Sequence, residues 1–106
     1  MSYKYVLDLA DEMPEIPPDG ITSRTFFKSP YMKAMMFGFD AGEELSQHTS
    51  AYPAILYFLQ GEADLVLGED RQIARPGTWV YMEPNLPHSV QAKTPLLMLL
   101  MLLQPE

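Results

Sequence analysis

Short apolar runs, interrupted by proline or glycine every few residues, constrain the fold of this chain most. Ten prolines and six glycines are spread over 106 residues. Proline removes a backbone donor, so it is excluded from helix interiors and central strands. The runs between these breaks are rich in β-branched and aromatic residues, which favour pleated strands. The pattern predicts an all-β sandwich or barrel that forms one domain over residues 1–106.

About ten short strands are expected, each bounded by turn residues. In chain order, the predicted strands are Tyr3–Leu9, Ile21–Lys28, Met32–Phe39, Leu45–Ser50, Ile55–Gln60, Glu62–Leu67, Arg71–Arg75, Thr78–Tyr81, His88–Ala92 and Leu96–Leu103. Between the first two, the proline-rich residues Asp11–Gly20 predict an ordered loop. Gly38 is expected to break the third strand near its end. The last run has the composition of a buried helix or strand, and its length and neighbours favour a central strand.

Charge and cysteine content exclude several classes of function. The net charge is −7, whereas a protein that grips nucleic acid needs a basic face, so no nucleic-acid partner is expected. There is no cysteine, which excludes disulfides, a thiolate nucleophile and cysteine-based metal sites. The longest apolar run is far shorter than the roughly 20 residues of a membrane helix. The first residues lack a signal-peptide pattern, so we expect a cytoplasmic protein without membrane contact.

Two histidines are the candidate chemical groups. His88 follows a tight turn at Pro84-Asn85 and shares one strand face with Val90 and Ala92. A histidine on an apolar face is either a hydrogen-bonded core group or part of a site. His48, 40 positions earlier, also lies on a predicted strand beside a turn. Neighbouring strands of a barrel would bring the two imidazoles together, as a metal site requires.

Two stretches resemble the conserved motifs of the cupin superfamily. Gly42–Gly61 resembles the first motif. That motif contains, in this order, glycine, five residues, histidine, any residue, histidine, three or four residues, glutamate, six residues and glycine. Gly77–Ala92 resembles the second motif, which runs from glycine through a tight turn to histidine. The resemblance implies a small single-domain cupin of the "cupin 2 conserved barrel" type. The expected fold is therefore a double-stranded β-helix, or jelly-roll, barrel.

The resemblance also implies a reduced metal site. Cupins typically hold a divalent metal with three histidines and one glutamate. His48 and His88 match the first and last histidines, but Ser50 stands at the second histidine position and Ala54 at the glutamate position. The two histidines are the predicted ligands. They imply zinc, nickel, iron, manganese or copper, weakly held, or a lineage that has lost its metal.

Other residues are expected to complete the site. Glu43, Glu44 and Glu83 are the alternative carboxylates, although their places in the motifs put them in turns or at the barrel rim. The pocket for a small molecule is predicted at Ser50, Tyr52, Ala54 and Phe58, with the histidines as further polar groups.

Three functions remain open on these residues. The first is a protein that binds a small molecule in the barrel, with a two-histidine metal site or none. The second is a metal-dependent, dioxygenase-like cupin enzyme that uses His48 and His88, and the third is a metal-free isomerase or lyase with a histidine as general base. Small cupins usually form dimers, so a homodimer is expected through the edges at Tyr3–Leu9 and Ile21–Lys28.

Overall fold

A computed structural model describes residues 2–104 and shows an almost purely β architecture. One short 3₁₀ helix, Leu9–Glu12, precedes nine strands in that part of the chain. The strands are β1 (Ile21–Lys28), β2 (Met32–Phe39), β3 (Glu44–His48), β4 (Ala54–Gln60), β5 (Ala63–Leu67), β6 (Asp70–Ala74), β7 (Trp79–Met82), β8 (His88–Ala92) and β9 (Leu96–Leu103). Within residues 2–104, no helix is long and apolar enough to cross a membrane.

The strands form two antiparallel sheets that face each other. The large sheet has the order β1-β2-β9-β4-β7, and the small sheet has the order β3-β8-β5-β6. Most neighbours in a sheet are distant in sequence, because the chain crosses repeatedly between the sheets. This arrangement is a jelly-roll barrel, and it confirms the fold class expected from the sequence.

Strand β9 lies at the centre of the large sheet and is apolar on both faces. It pairs with β2 along its whole length and with β4 on its other side. Leu96 and Met98 point into the barrel and join the main core, whereas Leu97 and Leu99 belong to a second cluster on the outer face. Burial of both faces is why the run is continuously apolar. The central strand predicted at Leu96–Leu103 is confirmed, with the same bounds.

The strand predicted at Tyr3–Leu9 is wrong. Residues 3–7 belong to no strand, and the 3₁₀ helix begins at Leu9. The Asp8 side chain accepts a hydrogen bond from the Ala10 N–H at 3.1 Å, and the Asp8 carbonyl accepts one from Asp11 N–H at 3.0 Å. An aspartate that caps the backbone in this way favours a helical turn over a ladder. Alternation alone therefore misled the prediction.

The N-terminal segment instead covers the outer face of the large sheet. Met13 packs there with Met36, Leu97 and Leu99, all of them buried. The expected break of β2 at Gly38 is also wrong, because the strand continues through it. A Cβ at Gly38 would lie 2.6 Å from the Met13 sulfur. The missing side chain thus makes room for Met13 rather than ending the strand.

Gly61, at the end of the first motif, provides a stability test of the turn between β4 and β5. Its φ is +85°, and a Cβ there would collide with the Pro95 carbonyl. We expect Gly61→Ala to lower the free energy of unfolding by about 2–4 kcal/mol. Gly20→Ala is the matched control, since no heavy atom lies within 4 Å of its added Cβ. Urea unfolding of both variants checks this, and equal stability of the two would contradict it.

Candidate functional site

The two histidines lie side by side on neighbouring strands of the small sheet. His48 is the last residue of β3 and His88 the first of β8, and the two are direct partners across the strand pair. Their ring centroids are 4.2 Å apart, with the ring planes inclined at 58°. The structure therefore brings together the two residues that the sequence proposes as ligands.

A β-bulge in β3 turns His48 toward His88. Leu45 pairs with Val90, and the next pair is His48 with His88, so β3 spans this interval with one residue more than β8. Regular pairing would place Gln47 opposite His88 and point His48 to the outer face, because side chains alternate along a strand. Bulges commonly re-aim a side chain in this way. The residue types of β3 give no sign of this irregularity.

Backbone carbonyls hold both imidazole rings in the same way. His48 Nδ1 lies 2.8 Å from the Ser46 carbonyl oxygen, and His88 Nδ1 lies 2.8 Å from the Leu86 carbonyl oxygen. A carbonyl can only accept, so each Nδ1 carries the hydrogen and donates it. In the neutral ring, Nε2 then keeps its lone pair. This tautomer and this anchoring of the other nitrogen are typical of metal-ligating histidines.

Burial distinguishes the two rings. His88 is only 7% exposed, whereas His48 is exposed to solvent. Burial lowers the pKa of His88 below its ordinary value. The hydrogen bond to the Leu86 carbonyl opposes this effect, and the charge of the neighbouring His48 lowers the pKa of His88 further. His88 is therefore neutral at neutral pH, with Nε2 able to accept a proton or a metal ion.

Backbone hydrogen bonds join the loops that lie next to the two histidines. Asn85 adopts a left-handed conformation with φ of 68°, as the turn chemistry of the sequence indicated. Its N–H donates to the Ser50 carbonyl at 2.7 Å, which joins the turn before His88 to the loop after His48. The Pro87 carbonyl accepts from Gly68 N–H at 2.8 Å, which joins that turn to the turn after β5.

The predicted pocket residues occupy different environments. Ser50 is half-buried, and its hydroxyl accepts a hydrogen bond from Tyr52 N–H at 3.2 Å within the loop. Tyr52 is 39% exposed. Ala54 opens β4 and Phe58 lies further along it, and both are buried in the main core. Ser50 and Tyr52 thus lie in the loop that follows His48, and Ala54 begins the strand after it.

The donor set for a metal consists of the two imidazoles. In residues 2–104, no group of three or more histidine, cysteine, aspartate or glutamate side chains is arranged to hold a metal ion. The alternative carboxylates Glu43, Glu44 and Glu83 therefore form no such group with the histidine pair. Two imidazoles whose Nδ1 atoms are held by carbonyls nevertheless offer their Nε2 atoms to zinc, copper or nickel, whose remaining positions water can fill.

Jelly-roll topology and a histidine pair at one end of the barrel define a small barrel protein of the cupin class. The family model Cupin_2, described as cupin domain, matches residues 35–102. This chain belongs to the cupin domain family, and the resemblance of its two motifs is confirmed. Among curated proteins, none matches the sequence significantly.

Solved structures of similar proteins agree with this assignment. A conserved protein of unknown function from Streptococcus pyogenes is 28% identical, with a TM-score of 0.85 over 100% of this chain and 92% of that one. A cupin superfamily protein from Desulfitobacterium hafniense is 21% identical, with a TM-score of 0.85 over 98% of this chain and 94% of that one. A cupin 2 conserved barrel domain protein from Leptotrichia buccalis is 27% identical, with a TM-score of 0.80 over 89% and 46% of the two chains.

The lowered pKa of His88 predicts that the protein loses stability in mild acid. The unfolded chain has an ordinary histidine pKa near 6.5 and so binds more protons than the folded protein below that pH. The contribution of His88 to the free energy of unfolding is therefore fully present above about pH 6.5. It is lost as the pH drops toward the lowered pKa of His88 in the folded protein. Urea unfolding at about pH 7.5 and about pH 5.5, with excess EDTA, measures this difference.

Two variants identify the group responsible for this loss. His88→Gln removes the buried titrating group, so its stability should depend much less on pH over this range. His48→Gln should keep most of the dependence, because burial is the largest cause of the shift at His88. An equal pH dependence in wild type and His88→Gln would show that another group is responsible.

Proposed function

We propose that this protein binds a small molecule at the histidine end of its barrel, beside a divalent metal ion held by His48 and His88. The observation that carries the proposal is the shared anchoring of the two rings, which leaves both Nε2 atoms free on adjacent strands. Rings fixed before binding lose little freedom when they bind, which favours a metal even with few ligands.

The two histidines have different roles in this proposal. His88 is the buried, neutral ligand, and the exposed His48 is the one that solvent and a ligand can reach. Zinc, copper or nickel bound there would act as a Lewis acid toward an oxygen or nitrogen of the bound molecule. With two protein ligands, the metal is held less tightly than in a four-ligand site.

A metal-free enzyme is the second candidate, and the protonation state of His88 favours it. A neutral imidazole with its Nδ1 hydrogen donated to a carbonyl can take a proton at Nε2 from a bound substrate, as a general base does. This candidate requires an activity that chelators leave unchanged and that is lost when His88 is replaced. A metal-dependent enzyme of the dioxygenase type instead requires both histidines and fails in chelator.

Metal analysis tests the first proposal directly. We expect untagged protein, purified without chelator and equilibrated with zinc, to hold roughly one zinc per chain after removal of unbound metal. His48→Ala should weaken zinc binding by at least about 100-fold, because one of two protein ligands is lost. Elemental analysis and zinc titration calorimetry give both quantities. Unchanged zinc affinity in His48→Ala would contradict the site.

Matched controls separate this site from general zinc binding by a chain of net charge −7. Gln47→Ala changes the exposed neighbour of His48 and should leave zinc affinity within about 2-fold. Glu83→Gln and Glu43→Gln should do the same, because neither carboxylate is grouped with the histidines. A large loss in either glutamate variant would mean that a carboxylate moves in to complete the site.

We also propose that two copies of the chain associate. The edge strand β1 has one neighbour only, and Tyr3, Tyr5 and Leu7 lie exposed on the N-terminal segment nearby. Open edges and exposed apolar groups of this kind favour pairing with a second chain. A groove of about 400 Å³, lined mainly by apolar side chains, lies between this segment and the outer sheet face.

Light scattering in solution tests the association. We expect a mass of about 24 kDa, twice the chain mass of 12.0 kDa. Replacing Tyr3 and Leu7 together by serine should shift the protein toward the single-chain mass, since less apolar surface would be buried between copies. A wild-type mass near 12 kDa would show that the exposed side chains serve no self-association.

A further inference from the structure

The inner face of the barrel is open to solvent along β1 and β2. Ser23 and Thr25 of β1 pair with Phe37 and Met35 of β2, so all four point to the inner side of the large sheet. The two β1 residues are exposed and the two β2 residues half-buried, whereas inward side chains in the middle of the sheet, such as Met98, are buried. The barrel therefore has an accessible side at this edge.

Lys33 lies on this inner face and has no acidic partner within residues 2–104. It pairs with Lys28 of β1 on one side and with Leu102 of β9 on the other. Leu102 in turn pairs with Ala54 of β4, so the four share one inward row across the sheet. Lys33 is half-buried. The salt bridge found in the described part of the chain joins Arg24 and Glu12 and does not involve it. Lysine side chains are mostly exposed, so a half-buried lysine with no ion-pair partner in the described residues is uncommon.

The lysine and the histidines lie at the same end of the barrel. Strand β2 begins one residue before Lys33 and leads, through residues 40–43, into β3 of the opposite sheet. Because β3 returns in the opposite direction, its last residue, His48, lies at the end where β2 begins. Facing sheets are about 10 Å apart, so a small molecule between them can reach both the lysine and the imidazoles.

The surrounding side chains restrict what that molecule can be. Met35 and Leu100, direct partners on β2 and β9, provide a partly buried apolar surface next to the row of Lys33. The chain carries 14 acidic and seven basic residues, so its overall charge repels anions. A cation on the inner face, beside an apolar surface, is a local exception to this repulsion. Such a place suits a molecule that has a carboxylate and an apolar part.

We infer that the histidine end of the barrel binds a small organic acid, whose carboxylate pairs with Lys33 and whose apolar part lies against Met35 and Leu100. This inference rests on the proposed ligand-binding function and adds the chemical class of the ligand. The alternative is a lysine that lays its carbon chain along apolar surface and keeps its ammonium in water. The acid-binding site requires a carboxylate on the bound molecule, whereas the alternative does not.

Matched acids and amides test the inference by titration calorimetry. The probes are hexanoate and benzoate, each compared with its uncharged amide. We expect at least one acid to bind the wild-type protein with a Kd of about 1 mM or lower, and its amide to bind at least about 10-fold more weakly. The inference is overturned when no acid binds at about 10 mM, or when an amide binds as well as its acid.

Three variants assign the binding to Lys33. Lys33→Met keeps the length and apolar stem and removes the charge, so acid affinity should fall at least about 10-fold. Lys33→Arg keeps the charge and should retain affinity within about 3-fold. Lys93→Met makes the same charge change at the opposite end of the barrel and should have no effect. Equal acid binding by wild type and Lys33→Met would overturn the assignment.

Zinc titration of the same proteins separates this inference from the metal site. Lys33→Met should bind zinc as the wild type does, while His48→Ala should lose zinc. Acid binding that persists in excess EDTA, with no zinc binding in any protein, would leave the acid site standing and refute the metal site. Zinc binding without any acid binding would support the metal site and refute the acid site.

Discussion

Burial of both faces of β9 is the constraint on which the rest of this barrel depends. The strand forms hydrogen-bonded ladders with β2 and β4 and supplies side chains to two apolar clusters, one inside the barrel and one outside. Full burial of one leucine or methionine side chain contributes about 1.5–3 kcal/mol. Several such residues in one strand, Leu96, Leu97 and Met98 among them, outweigh any local preference for helix and place β9 at the centre.

The outer cluster explains why the N-terminal segment does not form a strand. The outer face of β9 would be exposed in a barrel with a single core, and Leu97 and Leu99 require a cover there. Met13 supplies part of that cover, and it reaches the sheet because Gly38 leaves the space for its sulfur. A segment that crosses a sheet face cannot at the same time extend the edge of that sheet. Alternation at Tyr3–Leu9 carried no information on this competition.

Most strands were predictable because each has a local signature. Ile21–Lys28, Met32–Phe39 and Leu96–Leu103 appear with the predicted bounds, since turn residues limit each run on both sides. For His48 and His88, the sequence predicted only that their strands are neighbours. Their actual alignment depends on a bulge between Leu45 and His48, which leaves no mark in residue type. The inward position of Lys33 likewise follows from pairing with β9, which is distant in sequence and therefore invisible to local patterns.

The unequal exposure of the two histidines relates the site to the open side of the barrel. His88 lies on β8, inside the small sheet, and is buried, so its protonation is controlled by the protein. His48 lies on β3, the edge strand of that sheet, and faces solvent. Thr25 and Lys33 lie on the accessible inner surface of β1 and β2, and Lys33 lies at the histidine end of the barrel. Under the proposed binding function, a molecule that enters from this side would meet the exposed His48 before the buried His88. Ser50 and Ala54, at the two remaining motif positions, add no charged group to the histidine pair.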